Sequence, residues 1–563
     1  MKPKEDGIVL CIEPRPLLLH IVVELKRGTR AIDLTRSVAL LVLCAVLALV
    51  VWRVAACGAA DGGEGRRAVR PVPPPPAPAL AGDGVKVGTF LGNYGRRYYG
   101  QGPAPRRLDV LWKVKLGSGW SSGKYEDDPP SRWAGSGWTG QPSVVVDQGR
   151  TYVVAPSYGY KLRKIDAETG EVLWSYRFDD IIKGSPTVFR NPSPTGPDDA
   201  YIVVAGSRRG YPHKLDDPRI APVRALTFGS GKELWRLPVP RTACYSRDCD
   251  GSGFFFDGVY YVGVESGWVY ALDPFVTQTW AEGEKPSVRA QRLLLGDARA
   301  KSHDGNLVLE SSVSAVGETL YVASGAGHVY GLRRPDLEVV WDYYIGADLD
   351  GTPVPTDDGL LLQAVEKEYI KGKGGMLALD PAKPPDEAVV WYFPTGDREL
   401  GDWAGGVVGS ASVNDAYDPE GRYPALCAFN AIDGHLYVVA RDVMSDATVA
   451  GPNREKGLAT PVQVAKIWNG GAISTPILLG DALVAAGYDQ RVHLYDVRYT
   501  PAQQGEEGAL PSASGDGKYW TVAIEERDQF FAGGAFESTP TLWDGRIYIG
   551  CRDGWLYCLG DKG

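Results

Sequence analysis

Few residues in this chain are of a type and spacing that could do chemistry, and most of those fail on context. Three of the six histidines, His328, His435 and His493, stand immediately before Val329-Tyr330, Leu436-Tyr437 and Leu494-Tyr495, a place held elsewhere by Trp268 and Trp555. One position repeated along a chain of similar units is spread out in space, so these imidazoles are expected to pack between units rather than share a metal. Gly119-Trp120-Ser121-Ser122-Gly123 has the spacing of a nucleophile elbow, yet no helix follows and the stretch reads as a Gly/Ser loop. Gly135, Gly137 and Gly140 match a phosphate-loop spacing, but Pro142 and a valine run follow where the helix should begin. Asp348, Asp350 and Gly351 open like a calcium loop and lack its closing Glu. No catalytic, cofactor-binding or metal residue is assigned.

The elements that would position any site come from a repeat. A Ser/Gly-x-Pro start, a β-branched run ending in Gly, a tight turn and x-(Val/Leu)-Tyr recur from residue 140 onward. The clearest copy, residues 538–559, reads as three short strands joined by Asp544-Gly545 and Asp553-Gly554, dipeptides that tolerate the positive φ a two-residue hairpin needs. Further copies open at Gly140, Gly184, Gly251, Ser311, Gly351, Gly409 and Ser474. A fourth strand marked by Trp follows most of them, at Trp174, Trp235, Trp341, Trp391, Trp468 and Trp520. Four-stranded units in series predict an all-β, eight-bladed β-propeller. The last copy has no Trp strand, and an orphan, VLWKVKLG at 110–117, precedes the first, so the ring is expected to close by that N-terminal strand completing the last blade.

In such a ring the first strand of each blade lines the central channel. The residue just before each start reads Thr139, Lys183, Asp250, Glu310, Asp350, Val408, Ile473 and Glu537. Asp250, Glu310, Asp350 and Glu537 form a candidate acidic channel ring; repulsion at one level would favour a cation, a basic ligand or raised pKa values, the bland reading being solvated charges at a wide mouth.

The repeats resemble the quinoprotein-type (PQQ-like) propeller, whose blades end in Ala-x-Asp-x-x-x-Gly-x-x-x-Trp. Asp166, Gly170 and Trp174 fit fully; Gly231 and Trp235 fit with Thr227 for the Asp; Ala271, Leu272 and Asp273 give only the start, before Trp280; and Arg333 replaces the Asp before Trp341. The lead-in at 90–117 resembles the family's entry into the ring, and the resemblance covers residue 90 to the end. Quinoprotein dehydrogenases of this fold also share an adjacent Cys-Cys disulfide and a calcium held by Glu, Asn and Asp. This chain has no Cys-Cys pair, and those ligands match no motif in it. The resemblance is therefore closer to non-enzymatic propeller lipoproteins of the outer-membrane β-barrel assembly machinery, which implies binding of an envelope protein or ligand through loops and channel mouth, with no cofactor. Additions at 192–199, 281–304, 412–424 and 499–517 depart from those proteins. The alternative is a divergent PQQ-dependent dehydrogenase using calcium and the propeller face as active site.

Three segments are expected: a signal or anchor over 1–57, a Gly/Pro-rich linker over 58–84 and the propeller over 85–563. Lys26, Arg27, Arg30 and Arg36 precede the apolar run 37–52, short for a membrane span, and Val54-Ala55-Ala56-Cys57 resembles a lipobox despite the unusual charge of Arg53. Lipidation of Cys57, an uncleaved anchor and a conventional cleaved signal all export the domain; the first implies the periplasmic face of the outer membrane or the cell surface. Cys244 and Cys249 are read as a surface-loop disulfide or two free thiols, and Cys551 and Cys558 as small core residues. With 70 Gly, 41 Pro, 16 Trp and 29 Tyr the composition suits short strands, turns and aromatic packing. A net charge of −9 argues against a nucleic-acid partner.

Overall fold

The computed structural model describes residues 82–562 apart from 124, 126–127, 280–285, 296–302 and 304, so Cys57, the run 37–52 and Trp280 lie outside the described residues. Eight antiparallel four-stranded units follow one another, each running outward from an inner strand. The first comprises Ser143–Asp147, Arg150–Ala155, Lys161–Asp166 and Val172–Arg177. The inner strands of blades 2 to 8 are Thr187–Arg190, Phe254–Phe256, Ser314–Val316, Val354–Pro355, Ser412–Val413, Ile477–Leu478 and Thr541–Trp543, one for each repeat in the sequence. The eight-bladed propeller is therefore the fold. Blades 2 and 3 touch through one parallel pairing, Arg236 with Ser287, and the addition at 499–517 lengthens blade 7 into the paired strands Arg491–Ala502 and Tyr519–Phe531. No helix among the described residues is long and apolar enough to cross a membrane.

Ring closure follows the sequence expectation. Asp109–Lys115 is the outer strand of blade 8, with Trp112 opposite Cys558 and Val114 opposite Leu556. Cys551 and Cys558 are both buried, so they are the small core residues the turn geometry implied.

Two sequence signatures acquire a physical cause. The outer-strand Trp of one blade docks on the turn of the next: Trp112 Nε1 donates to Ala167 O at 3.0 Å, Trp174 to Phe228 O at 2.9 Å, Trp235 to Pro274 O at 2.7 Å and Trp341 to Lys383 O at 3.1 Å. The turn carries Gly because the indole lies against it: at Gly170, φ is +76° and a Cβ would meet Trp112 Cδ2 at 2.9 Å. The second residue of seven of the eight starts is Ser or Thr, Gln141 being the exception, and the hydroxyl has a cause. Backbone N–H groups of Gln141, Ser312, Thr352 and Ser410 donate to the side-chain oxygens of Ser185, Thr352, Ser410 and Thr475 in the following blade, at 2.8, 2.9, 3.0 and 2.9 Å. This belt ties inner strands edge to edge, where neighbouring blades expose backbone donors that the sheets themselves cannot satisfy.

A feature absent from the sequence reading fills one end of the hub. Gly84–Val87 pairs with Ser143–Asp147 as a fifth, innermost strand of blade 1, and the chain then crosses the axis. Phe90, Leu91, Arg96 and Tyr99 are wholly buried there. Arg96 donates to Phe90 O at 2.6 Å, Ser252 O at 2.9 Å and Val313 O at 2.5 Å, Leu91 N–H to Gln141 Oε1 at 2.6 Å, and Val413 N–H to Tyr99 OH at 2.8 Å. Arg97 pairs with Asp357 at 2.5 Å and Asp415 at 3.3 Å. The segment thus bonds to blades 1, 3, 4, 5 and 6, and Phe90, Leu91 and Tyr99 share one apolar cluster with Ile477 of blade 7 and Leu542 of blade 8.

The disulfide reading of Cys244 and Cys249 is corrected: both are buried free thiols. Cys244 Sγ donates to Glu265 O at 3.0 Å, and Cys249 Sγ faces Gly251 O and Gly263 O at 3.5 and 3.7 Å. The intervening Arg247 pins the loop inward through Val239 O at 2.8 Å and Leu215 O at 2.5 Å, and the two thiols pack into different apolar clusters.

Candidate functional site

The residue before each start lies two positions ahead of the hydroxyl belt, so all eight of these residues ring the hub at one level. Their chemistry divides by arc. Val408 and Ile473 of blades 6 and 7 form an apolar group with Ile432, packed by Trp138, Leu400 and Trp403. Blades 2 to 5 supply Lys183, Asp250, Glu310 and Asp350. The Lys183 ammonium pairs with Asp250 and stands 3.9 Å from Glu310 Oε2. Glu537 is set apart from them, bonded to Arg552 at 2.7 Å and to Tyr488 OH at 2.9 Å. Three of the four acids singled out in the sequence therefore meet, and the fourth is answered by its own arginine.

Sequence reasoning missed Glu265. It lies two residues beyond the end of the second strand of blade 3, Val259–Gly263, and a donor oxygen of each of Asp250, Glu265 and Glu310 falls within 4.8 Å of the others. Ile432, Tyr488 and Arg552 hold the same offset after Leu426–Asn430, Ala482–Ala486 and Arg546–Gly550, a second ring of channel positions that the repeat would have disclosed had it been read.

Two hairpins wall this end, Ser118–Ser121 with Ser131–Ala134 and Asp397–Leu400 with Trp403–Gly405. With the rim they enclose a cavity of about 420 Å³, lined among the described residues by nine acidic side chains and three basic ones, together with Trp133, Trp138, Trp403 and Tyr245. Trp138 and Trp403 face each other with ring centres 6.4 Å apart and planes 30° from parallel. Trp138 holds φ at +55°, a left-handed conformation costly for a bulky residue, and its ring lies 4.3 Å from Lys183 Nζ.

Of the three basic groups two are committed. Arg208 Nε donates to Asp248 at 2.7 Å while its Nη1 donates to Ser121 Oγ and Ser122 O at 3.1 and 2.9 Å, and Lys183 holds Asp250. Asp348 receives Asn306 Nδ2 at 2.8 Å. Glu265 Oε2 accepts from Ser246 Oγ at 2.6 Å, while its Oε1 has no hydrogen-bond partner although the residue is 3% exposed. Burial, then Asp250 and Glu310, push the Glu265 carboxyl well above the usual range. Burial, then Glu310, Asp348 and Glu366, do the same to Asp350. Burial also raises Glu310, opposed by Lys183. For Lys183 burial works against the charge, but Asp250 and Glu310 outweigh it and hold the ammonium above the ordinary lysine value. Chemically the cup is a cation-seeking, aromatic-walled cavity.

The three histidines share no site with one another, as expected, but each finds its partners within its own blade and not between blades, His435 beside Asp433 and the Trp468 ring. His328 Nδ1 bonds Asp342 at 2.6 Å with its ring stacked on Tyr330, and His493 bonds Glu526 and Asp489 at 2.6 and 2.8 Å.

Residues 107–241 match the PQQ-type propeller family described as outer membrane protein assembly factor BamB. A 79-residue stretch is 32% identical to the mouse (Mus musculus) beta-alanine-activating enzyme; it covers 13% of this chain and spans 7% of that protein. Among solved structures, BamB from Moraxella catarrhalis superposes with a TM-score of 0.44 at 13% identity, over 80% of this chain and 100% of that one. Quinohemoprotein alcohol dehydrogenase from Comamonas testosteroni does so with a TM-score of 0.48 at 14% identity, over 86% of this chain and 82% of that one. The chain folds as an eight-bladed propeller with docked tryptophans, and over residues 107–241 it is similar to the PQQ-type propeller family described as outer membrane protein assembly factor BamB.

Proposed function

We propose that the chain is a non-catalytic binding scaffold of the cell envelope, exported and lipid-anchored through Cys57, which seats a positively charged protein or envelope ligand on the hairpin-walled end of its ring. The observation that carries this reading is the cup, where nine carboxylates face three basic groups beside an aromatic wall. Complementary charge at a mouth steers and orients a partner. The likeness to BamB supports a protein-binding role. The lipobox-like Val54-Ala55-Ala56-Cys57 supports the anchor, and the Pro-rich stretch after it would hold the ring off the lipid.

A specific observation favours the second reading, a divergent quinone-dependent dehydrogenase: Asp250, Glu265 and Glu310 present a donor set that suits a divalent cation. PQQ itself, however, is a tricarboxylate, and the acidic lining repels it; the residues do not fit the cofactor. The test is direct. Purified protein incubated with PQQ and calcium should develop no cofactor absorbance and reduce no dye with alcohols or aldoses, and reproducible turnover overturns the scaffold reading. For the anchor, Cys57→Ser should abolish labelling by a clickable fatty acid and leave unprocessed precursor. Wild-type protein that takes up no label yet stays in the membrane fraction would instead make residues 37–52 an ordinary uncleaved anchor.

A further inference from the structure

The cup already holds one alkylammonium of its own. Lys183 Nζ is paired with Asp250, lies 3.9 Å from Glu310 Oε2 and stands 4.3 Å from the Trp138 ring centre. An ammonium between carboxylates and an indole face is thus the chemistry this rim is built for. The open side of the cavity repeats those ingredients. Glu265 is buried with Oε1 unpartnered, Asp350 lines the same cavity half-buried on the far side of Glu310, and Trp403 faces Trp138 at 6.4 Å. Arg208 is taken by Asp248, and Lys183 by Asp250. A bare metal ion would use Asp250, Glu265 and Glu310, but Asp250 is already held by the Lys183 ammonium, and the remaining space measures about 420 Å³ and is walled in part by indoles. An anion is excluded by the surrounding carboxylates. What matches both the charge and the wall is a cation with an apolar stem.

We propose that the cup binds an alkylammonium group on an unbranched carbon chain, with the ammonium taken by Glu265, Glu310 and Asp350 and the methylenes laid along Trp138 and Trp403. This rests on the scaffold reading and names its ligand chemistry, which two sources could bring: a free polyamine, or a lysine side chain of a docked partner. Burial and mutual repulsion favour protons on these acids, and Glu265 faces Asp248, Asp250, Glu310, Lys183, Arg208 and the Cys249 thiol. Entry of an ammonium should therefore expel protons.

The experiment is calorimetric titration of the purified full-length protein with spermidine, with the peptide acetyl-Gly-Lys-Gly-amide and with calcium chloride, near pH 6, in two buffers of different ionisation heat. The expected result is saturable binding of at least one ammonium probe with proton release, weakened by salt. Preference for spermidine marks the free source, and preference for the peptide the partner's lysine. Glu265→Gln and Asp350→Asn should each weaken binding by about 5- to 20-fold and reduce the protons released, and Trp403→Leu should weaken it by about 3- to 10-fold. Asp350 is half-buried, so its variant keeps the test alive should Glu265→Gln fold poorly. Saturable calcium binding without ammonium binding overturns the inference, as does ammonium binding indifferent to all three substitutions. Either result leaves the scaffold reading standing, because that reading falls only to quinone-dependent turnover.

Discussion

Trp112 and Trp468 occupy the same repeat position, the marker of a blade's outer strand, yet the ring treats them differently. Trp112 belongs to the N-terminal strand that closes blade 8; it is 9% exposed, donates to Ala167 O at 3.0 Å and rests on Gly170. Trp468 is 57% exposed, touching chiefly the His435 ring at 5.3 Å and the Arg398 guanidinium at 5.1 Å. A buried Trp removes roughly 200 Å² from water, worth about 5 kcal/mol at ~25 cal/mol/Å². Core Trp→Ala changes cost about 3–5 kcal/mol. Trp112→Ala should therefore lose about 4 kcal/mol, and Trp468→Ala about 1–2 kcal/mol on its smaller buried area. Unfolding entropy of ~2 cal/mol/K per residue, taken over a domain of this size, amounts to about 1 kcal/mol/K. Scanning calorimetry should accordingly show a fall of about 4 °C for Trp112→Ala and about 1–2 °C for Trp468→Ala. Equal shifts would refute the argument that burial at the closing strand, rather than membership of the repeat, sets the cost.

Deleting residues 84–115 removes the plug, the fifth strand of blade 1 and the closing strand together, and should give aggregation or a large fall in melting temperature, whereas deleting 58–81 should leave melting unchanged; equal melting of the two truncations would sink the closure argument. Arg96 is a buried cation solvated by carbonyl oxygens, its guanidinium pushed down to about 9 by burial, so Arg96→Met leaves Val313 O and Ser252 O unanswered and should destabilise by about 2–4 kcal/mol in urea unfolding, while an unchanged midpoint would show that the plug needs no such bonds. Asp180 is wholly buried, and burial together with Asp248 pushes its carboxyl up to about 7. An unfolded aspartate ionises near pH 4, so between about pH 4 and 7 the unfolded chain releases a proton that the folded chain keeps, and stability falls as pH rises. The difference reaches up to about 4 kcal/mol, so Asp180→Asn should flatten the decline in urea midpoint between pH 4.5 and 7.5; parallel slopes would count against it.

The fold was legible because it is written eight times. Each Ser/Gly start, Asp-Gly turn and Trp is a local signal, and eight weak copies fix a ring that one could not. The rim was half legible for the same reason: Asp250, Glu310 and Asp350 share a repeat slot and were found by reading that slot alone. Glu265 shares a different slot, two residues past a strand end, and became visible only when the loops of both kinds were seen to meet. Trp138 and Trp403 could not be read at all, and the plug was noticed only as a lead-in resembling the family's entry into the ring, with no sign of where it packs. They sit in segments that occur once, where periodicity has nothing to amplify and position depends on contacts with residues far along the chain, such as Arg96 with Val313. The Cys244–Cys249 pairing failed for a related reason: spacing measures reach along the loop, whereas Arg247 decides which way the loop folds.

A propeller hub is ordinarily a passage with two openings. Here Phe90, Leu91, Arg96 and Tyr99 stopper one of them, so whatever enters between the hairpins must leave by the same route. Entry and exit then share one bottleneck, and a macromolecule resting on that mouth becomes the gatekeeper for a small occupant beneath it. The occupant's lifetime is bounded by the departure of its cover, and the two dissociate in a fixed order: cover first, contents second. A ring with both ends clear would impose no order at all.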